Sequence, residues 1–254
     1  MRTAVLATAV SALALSFAVT APASATTTYD VVSGFTGNAN DGSSVWTYGW
    51  EVGPSFNQFV LFDHHNTNCI TSGLTCWQSP DPQLFVPLVA QNTTNGTLVY
   101  ANSVVHPTDV LNLHPGGSQD GSATAGNDIN TVVRFTAPSG GEYHFAGFFE
   151  ALDTNPTGVQ ILAGGTPVAI GGHAVISSLT VGAPTDFAFN RNLFGGQTVD
   201  FVVNRAGNYY NDSTGLALTV SVPEPATWGL MIIGFGGMGA VLRANRRRAV
   251  AATA

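Results

Sequence analysis

The chain has no lysine, and its eight basic residues are all arginines. Five of these, Arg2, Arg243, Arg246, Arg247 and Arg248, lie at the two ends. Between residues 26 and 222 only Arg134, Arg191 and Arg205 remain, against fourteen acids, for a formal charge of −11. A surface so poor in cations repels polyphosphate, so no nucleic acid is expected as a partner. It suits a domain kept soluble outside the cell, or one that attracts divalent cations. Catalytic signatures are missing too. There is no G-x-S-x-G elbow, no phosphate-binding loop and no H-E-x-x-H pair. The six histidines show no H-x3-H spacing, and adjacent His64 and His65 on a strand would point to opposite faces, so no zinc site is expected. A glycosidase needs two opposed carboxylates. Glu150 could pair with Asp186, Asp200 or Asp212, but nothing in the sequence selects a pair. The chain is expected not to be an enzyme.

Helical periodicity is also scarce. Outside the termini no stretch keeps a 3.6-residue apolar period for three turns. Short runs rich in Val, Thr, Phe, Tyr and Ile take its place, at 45–50, 58–62, 84–90, 97–101, 110–113, 131–136, 142–152, 159–163, 174–179, 185–189, 199–204 and 216–222. Gly-Gly, Asn-Gly, Asp-Gly and Pro punctuate them. A dozen short strands without a fixed repeat predict an all-β fold, a single jelly-roll-like β-sandwich. Roughly 197 residues suffice for one such core.

The two ends read as handling signals. Arg2, the apolar stretch from Ala4 to Thr20 and Ala23-Ser24-Ala25 fit a signal peptide cut after Ala25. At the other end, Pro223-Glu224-Pro225 precedes an uncharged stretch from Ala226 to Leu242. As a helix this stretch measures about 25 Å, just enough to cross a thin hydrocarbon core. Trp228 stands where an interfacial aromatic belongs, and the arginines that follow place the C-terminus in the cytoplasm. The divisions are therefore 1–25 signal peptide, 26–222 β-sandwich, 223–248 sorting signal with a transmembrane helix, and 249–254 a short tail.

Val-Pro-Glu-Pro-Ala-Thr-Trp-Gly, a glycine-rich apolar stretch and a terminal arginine cluster together resemble the PEP-CTERM sorting signal of the PEPxxWA type. Gly229 stands where that subtype has Ala. The resemblance implies that Pro223, Glu224, Pro225, Trp228, Arg243, Arg246, Arg247 and Arg248 are read by an exosortase, a membrane cysteine protease of Gram-negative polysaccharide producers. Signal peptidase and exosortase are then the processing partners. The chain would be anchored in the inner membrane before release to the cell surface or extracellular matrix. Residues 28–222 look like a β-sandwich domain of bacterial surface proteins, similar in outline to jelly-roll carbohydrate-binding modules. That resemblance rests on blocks such as Val132-Val133-Arg134-Phe135-Thr136 and Gly207-Asn208-Tyr209-Tyr210-Asn211-Asp212. It implies exopolysaccharide as a ligand. A structural matrix protein without a small ligand is the other reading, and a β-sandwich hydrolase a third.

Candidate sites follow. Trp46, Tyr48 and Trp50 alternate, so they share one face, either as a platform for sugar rings or as plain core. Tyr209, Tyr210 and Asp212 place aromatics and oxygens in one loop, as a binding loop or an ordinary turn. No cofactor is expected beyond a structural calcium, whose weak candidates are Asp120, Asp128, Glu150 and Asp153. Cys69 and Cys76, the only cysteines, are expected to pair in an exported protein.

Overall fold

Alternating apolar residues set the inner faces of two antiparallel sheets. In β11 (Gly141–Ala151) Tyr143, Phe145, Phe149 and Ala151 turn inward, and in β16 (Thr214–Pro223) Leu216, Leu218 and Val220 do. In β10 (Ile129–Thr136) Val133 and Phe135 do the same from the opposite side. The computed structural model describes residues 26–37, 40–53, 58–79, 87–101, 103–117, 129–155, 157–207, 210–223, 232–240 and 242–243. The chain falls into two units, Thr26–Pro223, and Met1–Ala25 with Glu224–Ala254.

The first sheet runs β14 (Thr185–Leu193), β11, β16, β9 (Leu111–His114), β6 (Leu88–Asn92), β5 (Leu74–Gln78), β4 (His64–Asn66). Its β1 (Thr26–Asp30) pairs with the far end of β16, Thr26 opposite Pro223. The second sheet runs β13 (Thr166–Val168), β12 (Gly158–Ala163), β15 (Thr198–Asn204), β10, β2 (Trp46–Val52), β3 (Val60–Leu61). A separate hairpin joins β7 (Leu98–Tyr100) to β8 (Val104–His106). One apolar cluster draws residues from both main sheets, so the architecture is a two-sheet, all-β sandwich.

Phe135 is the centre of that core. Its ring lies 5.8 Å from Tyr29, 5.2 Å from Trp46 and 5.5 Å from both Tyr143 and Phe145. The angles are edge-on or tilted, as ring quadrupoles prefer. Gly147 sits where β11 passes β16 too closely for any side chain: a Cβ there would lie 2.1 Å from the Ala217 carbonyl oxygen.

Three expectations need correction. Trp46 and Tyr48 are buried and Trp50 packs half-buried against the same core, so the aromatic stripe faces inward and forms no platform. Residues 174–179 form no strand, only an isolated bridge of Ile176 to Val159. Cys69 and Cys76 are free thiols, not a disulfide. Cys69 Sγ donates to Leu74 O at 3.7 Å and Cys76 Sγ to Gln78 Oε1 at 3.4 Å, and the neighbouring Cys69, with burial, pushes the Cys76 thiol up. In the other unit, residues 232–240 and 242–243 are helical. Ile232, Ile233, Phe235, Met238 and Leu242 are all exposed there. Among the described residues no helix is long and apolar enough to cross a membrane. The expected signal peptide, Glu224, Pro225, Trp228 and Arg246 to Arg248 fall outside those residues.

The outer face of the second sheet holds a buried carboxyl. Glu51 on β2 stands opposite Asn130. Burial, then the nearby Asp200 charge, pushes Glu51 up to about 7, against a smaller pull from Arg134. Arg134 itself is committed to Asp200 through Nε at 2.6 Å and Nη2 at 2.8 Å. Its guanidinium also caps the Phe59 ring at 3.9 Å. Because the folded pKa lies above the unfolded one, Glu51 is best tolerated below the ordinary carboxylate range. Its contribution is lost as pH rises toward and through about 7. Up to about 3 kcal/mol is involved. Glu51→Gln is expected to flatten that slope and raise the melting temperature at pH 8 but not at pH 4. Parallel slopes for both proteins would refute the assignment.

Candidate binding cavity under the hairpin

The outer face of the first sheet is roofed by the β7–β8 hairpin, and a cavity of about 360 Å³ lies beneath it. Leu88 of β6 and His114 of β9 line it from the sheet, and Tyr100, Val104 and His106 from the hairpin. Ile70 adds an apolar wall, and the loops around Asp153 and Tyr210 to Ser213 close the side. Backbone bonds fix these pieces. Val105 N donates to Leu152 O at 3.1 Å, Leu152 N to Ser213 O at 2.9 Å, and Asn155 N to Asn211 O at 3.2 Å. Asn155 Nδ2 also donates to Tyr210 O. Asn211 takes a left-handed φ of 59°, a conformation asparagine tolerates better than most residues, and so turns the chain toward β16.

The polar groups inside are held in defined states. Asn92 Nδ2 donates to His106 O at 2.7 Å, tying the hairpin to β6. Asn112 Nδ2 donates to His106 Nδ1 at 2.7 Å, which places the ring proton on Nε2. His114 Nδ1 donates to Pro115 O at 2.8 Å. Burial lowers the pKa of both histidines, so each is a neutral imidazole at pH 7. Just below the cavity Asp212 is fully buried. Burial, then Asp153, pushes its carboxyl up to about 8, against a smaller effect of Arg205. Tyr100 and Tyr210 line the cavity and are 43% and 56% exposed. Aromatic rims over uncharged donors and acceptors suit a ligand rich in hydroxyls and C–H faces.

The structure sorts the sequence candidates. Tyr210 and Asp153 line the cavity, and Asp212 lies in the same loop. Glu150 is elsewhere, packed against Gly215 and facing the Asp109 charge. Tyr209, Asp120 and Asp128 fall outside the described residues. Among those residues no group of three or more His, Cys, Asp or Glu is placed to hold a metal ion. His106, His114, Tyr100 and Ser213 carried no local signal. They come together only through the pairing of β6 with β9 and the folding of the hairpin over both.

At the C-terminal end, the family described as the PEP-CTERM protein-sorting motif matches residues 221–248. The chain carries a PEP-CTERM sorting motif. That motif implies export and an exosortase as processing partner, with a C-terminal membrane anchor before cleavage. No curated protein sequence matches the chain. Among solved structures, a β-glucosidase from Kluyveromyces marxianus is 12% identical over 39% of this chain and 11% of its own, with a TM-score of 0.24. The enzymatically active domain of tailspike protein 4 from bacteriophage CBA120 is 13% identical over 71% of this chain and 19% of its own, with a TM-score of 0.28. The C-terminal CBM6 of LamC, a marine laminarinase from Zobellia galactanivorans, is 15% identical over 50% of this chain and 99% of its own, with a TM-score of 0.23. At such scores the likeness carries no argument about function. The chain spans well under two thirds of the first two.

Proposed function

We propose that this PEP-CTERM protein is cut near Pro223 by an exosortase and that its jelly-roll-like sandwich binds glycan in the cavity under the β7–β8 hairpin. The observation that carries this reading is the pair of exposed tyrosines over neutral imidazoles. A sugar offers both an apolar face for a ring and hydroxyls for uncharged partners. The precursor spans the inner membrane of a Gram-negative bacterium with its C-terminus in the cytoplasm. The apolar helix with all its large side chains exposed supports that step. Delivery then places the domain at the cell surface or in the polysaccharide matrix. The role proposed is binding: among the described residues the cavity is lined by tyrosine rings and neutral imidazoles that suit holding a sugar.

Titration of the purified chain with the producer's own exopolysaccharide tests this. Tyr100→Ala and Tyr210→Ala are each expected to weaken binding by about tenfold or more. Both side chains are exposed at the rim, so the melting temperature should barely change. Full affinity in the double variant would remove the cavity from consideration. A second reading, self-association in the matrix, is favoured by one observation. β14 ends its sheet, and Phe194 just beyond it is 77% exposed. Sedimentation that depends on concentration, without saturable sugar binding, would select that reading.

A further inference from the structure

Among the described residues, buried polar atoms without partners fall in two places: Glu51 with Asn130 on the second sheet, and a larger group beside the cavity. Among the described residues, His106 Nε2, Asn112 Oδ1, Asp153 Oδ2 and both carboxylate oxygens of Asp212 are buried without a hydrogen-bond partner. They form one connected group. Asn112 touches His106 at 2.7 Å, His106 feels the Asp153 charge, and Asp153 acts in turn on Asp212. Buried side chains are normally satisfied, and a charged one left alone is the costliest exception. Asp212 is 0% exposed and Asp153 3%. Asp153 uses its other oxygen to accept Thr154 N at 2.7 Å, which leaves Oδ2 buried and without a partner. Arg205 acts on Asp212 through space and hydrogen-bonds neither of its oxygens. Two acidic side chains thus share a place closed to solvent, with three of their four oxygens lacking a hydrogen-bond partner.

We propose that a calcium ion binds between Asp153 and Asp212 beneath the cavity floor, fastening the loop that follows β11 to the loop that precedes β16. The donor set decides the metal. The unpartnered carboxylate oxygens are hard donors, and calcium completes its shell with backbone carbonyls and water. A transition-metal site would need a third His, Cys, Asp or Glu in range, and the described residues offer none. Magnesium demands a regular octahedron at short distances, whereas carboxyl oxygens from two separate loops suit the looser, more variable shell of calcium. The acidic body supplies attraction at longer range. The site also explains why two loops laced by Leu152 N to Ser213 O and Asn155 N to Asn211 O each bring an aspartate to the join.

The test uses the full chain in detergent, stripped with EDTA and titrated with calcium chloride alone, followed by calorimetry and thermal melting. One site per chain with a Kd of about 10⁻⁴–10⁻³ M is expected. Saturating calcium should raise the melting temperature by about 5 °C or more. Asp153→Asn and Asp212→Asn should each weaken calcium binding by about tenfold or more. Each should also melt higher than the natural chain in EDTA, because the buried repulsion is gone. Glu150→Gln, which faces Asp109, should bind calcium unchanged. No heat and no melting shift with about 10 mM calcium on the folded natural chain would overturn the proposal. Unchanged affinity in both asparagine variants, or zinc binding tighter than calcium, would do the same. Should a variant fail to fold, the titration of the natural chain still decides. No sugar enters the experiment, so its outcome is separate from the glycan reading.

Discussion

Glu224→Ala is expected to leave the chain uncut and in the membrane fraction, with surface delivery down by about tenfold or more. Glu224 is the one acid in the tail, set between two prolines that fix φ near −65° and deny the backbone two donors. A protease that recognises this tripeptide meets a single charge between two prolines, and its pocket must neutralise that charge. Losing the carboxylate leaves the pocket's own buried partner unpaired, the situation in which discrimination is largest. Deleting residues 243–248 should give a different defect. The apolar stretch then has no basic stop, so the chain loses the charge that fixes its orientation. Pulse labelling followed by protease shaving of intact cells separates the two outcomes. Normal processing of the Glu224 variant would contradict the exosortase assignment.

Phe135→Ala should remove about 4 kcal/mol of stability. The side chain is fully buried and meets four aromatic rings, from Tyr29, Trp46, Tyr143 and Phe145. Three of these come from the other sheet, Tyr29 on β1 and Tyr143 and Phe145 on β11, and Trp46 comes from neighbouring β2, so no local shift can close the hole. A domain with the usual 5–15 kcal/mol of total stability would lose a large share of it. Urea unfolding measures the loss, with Val99→Ala as control. Val99 is 62% exposed on the hairpin, and its change should stay within about 0.5 kcal/mol. A loss below about 1 kcal/mol for Phe135→Ala would mean the core is not centred where the rings converge.

The sheets were legible because their residues alternate. Thr131 to Thr136 and Thr185 to Phe189 both fall inside strands, β10 and β14. Five strands escaped. β5, Leu-Thr-Cys-Trp-Gln, holds Cys76, which was expected to be tied to Cys69. The other four are short or polar: β1 is Thr-Thr-Thr-Tyr-Asp, β4 is His-His-Asn, and β8 and β13 have three residues each. Such segments become strands only because a longer neighbour supplies the ladder. The run at 174–179 failed in the opposite way, since it has β-formers but only one bridge to hold it. The aromatic stripe on β2 was read as one face, correctly, but alternation does not say whether that face meets water or a second sheet. Tyr210, Asp212 and Asp153 were visible as oxygen-rich or aromatic loop residues. His106 and His114 were not, because the fact that matters is a hairpin folded onto a sheet, and no spacing along the chain encodes it.

β16 begins at Thr214, beside the cavity, and ends at Pro223, where the sorting motif takes over. Ten extended residues put these points about 30 Å apart. The opening and the stem therefore occupy opposite poles of the sandwich. The end of the sandwich that carries the sorting motif is therefore not the end that carries the opening. Thr26 stands across from Pro223, so the first and last residues of the sandwich leave from one pole, and the opening lies at the other.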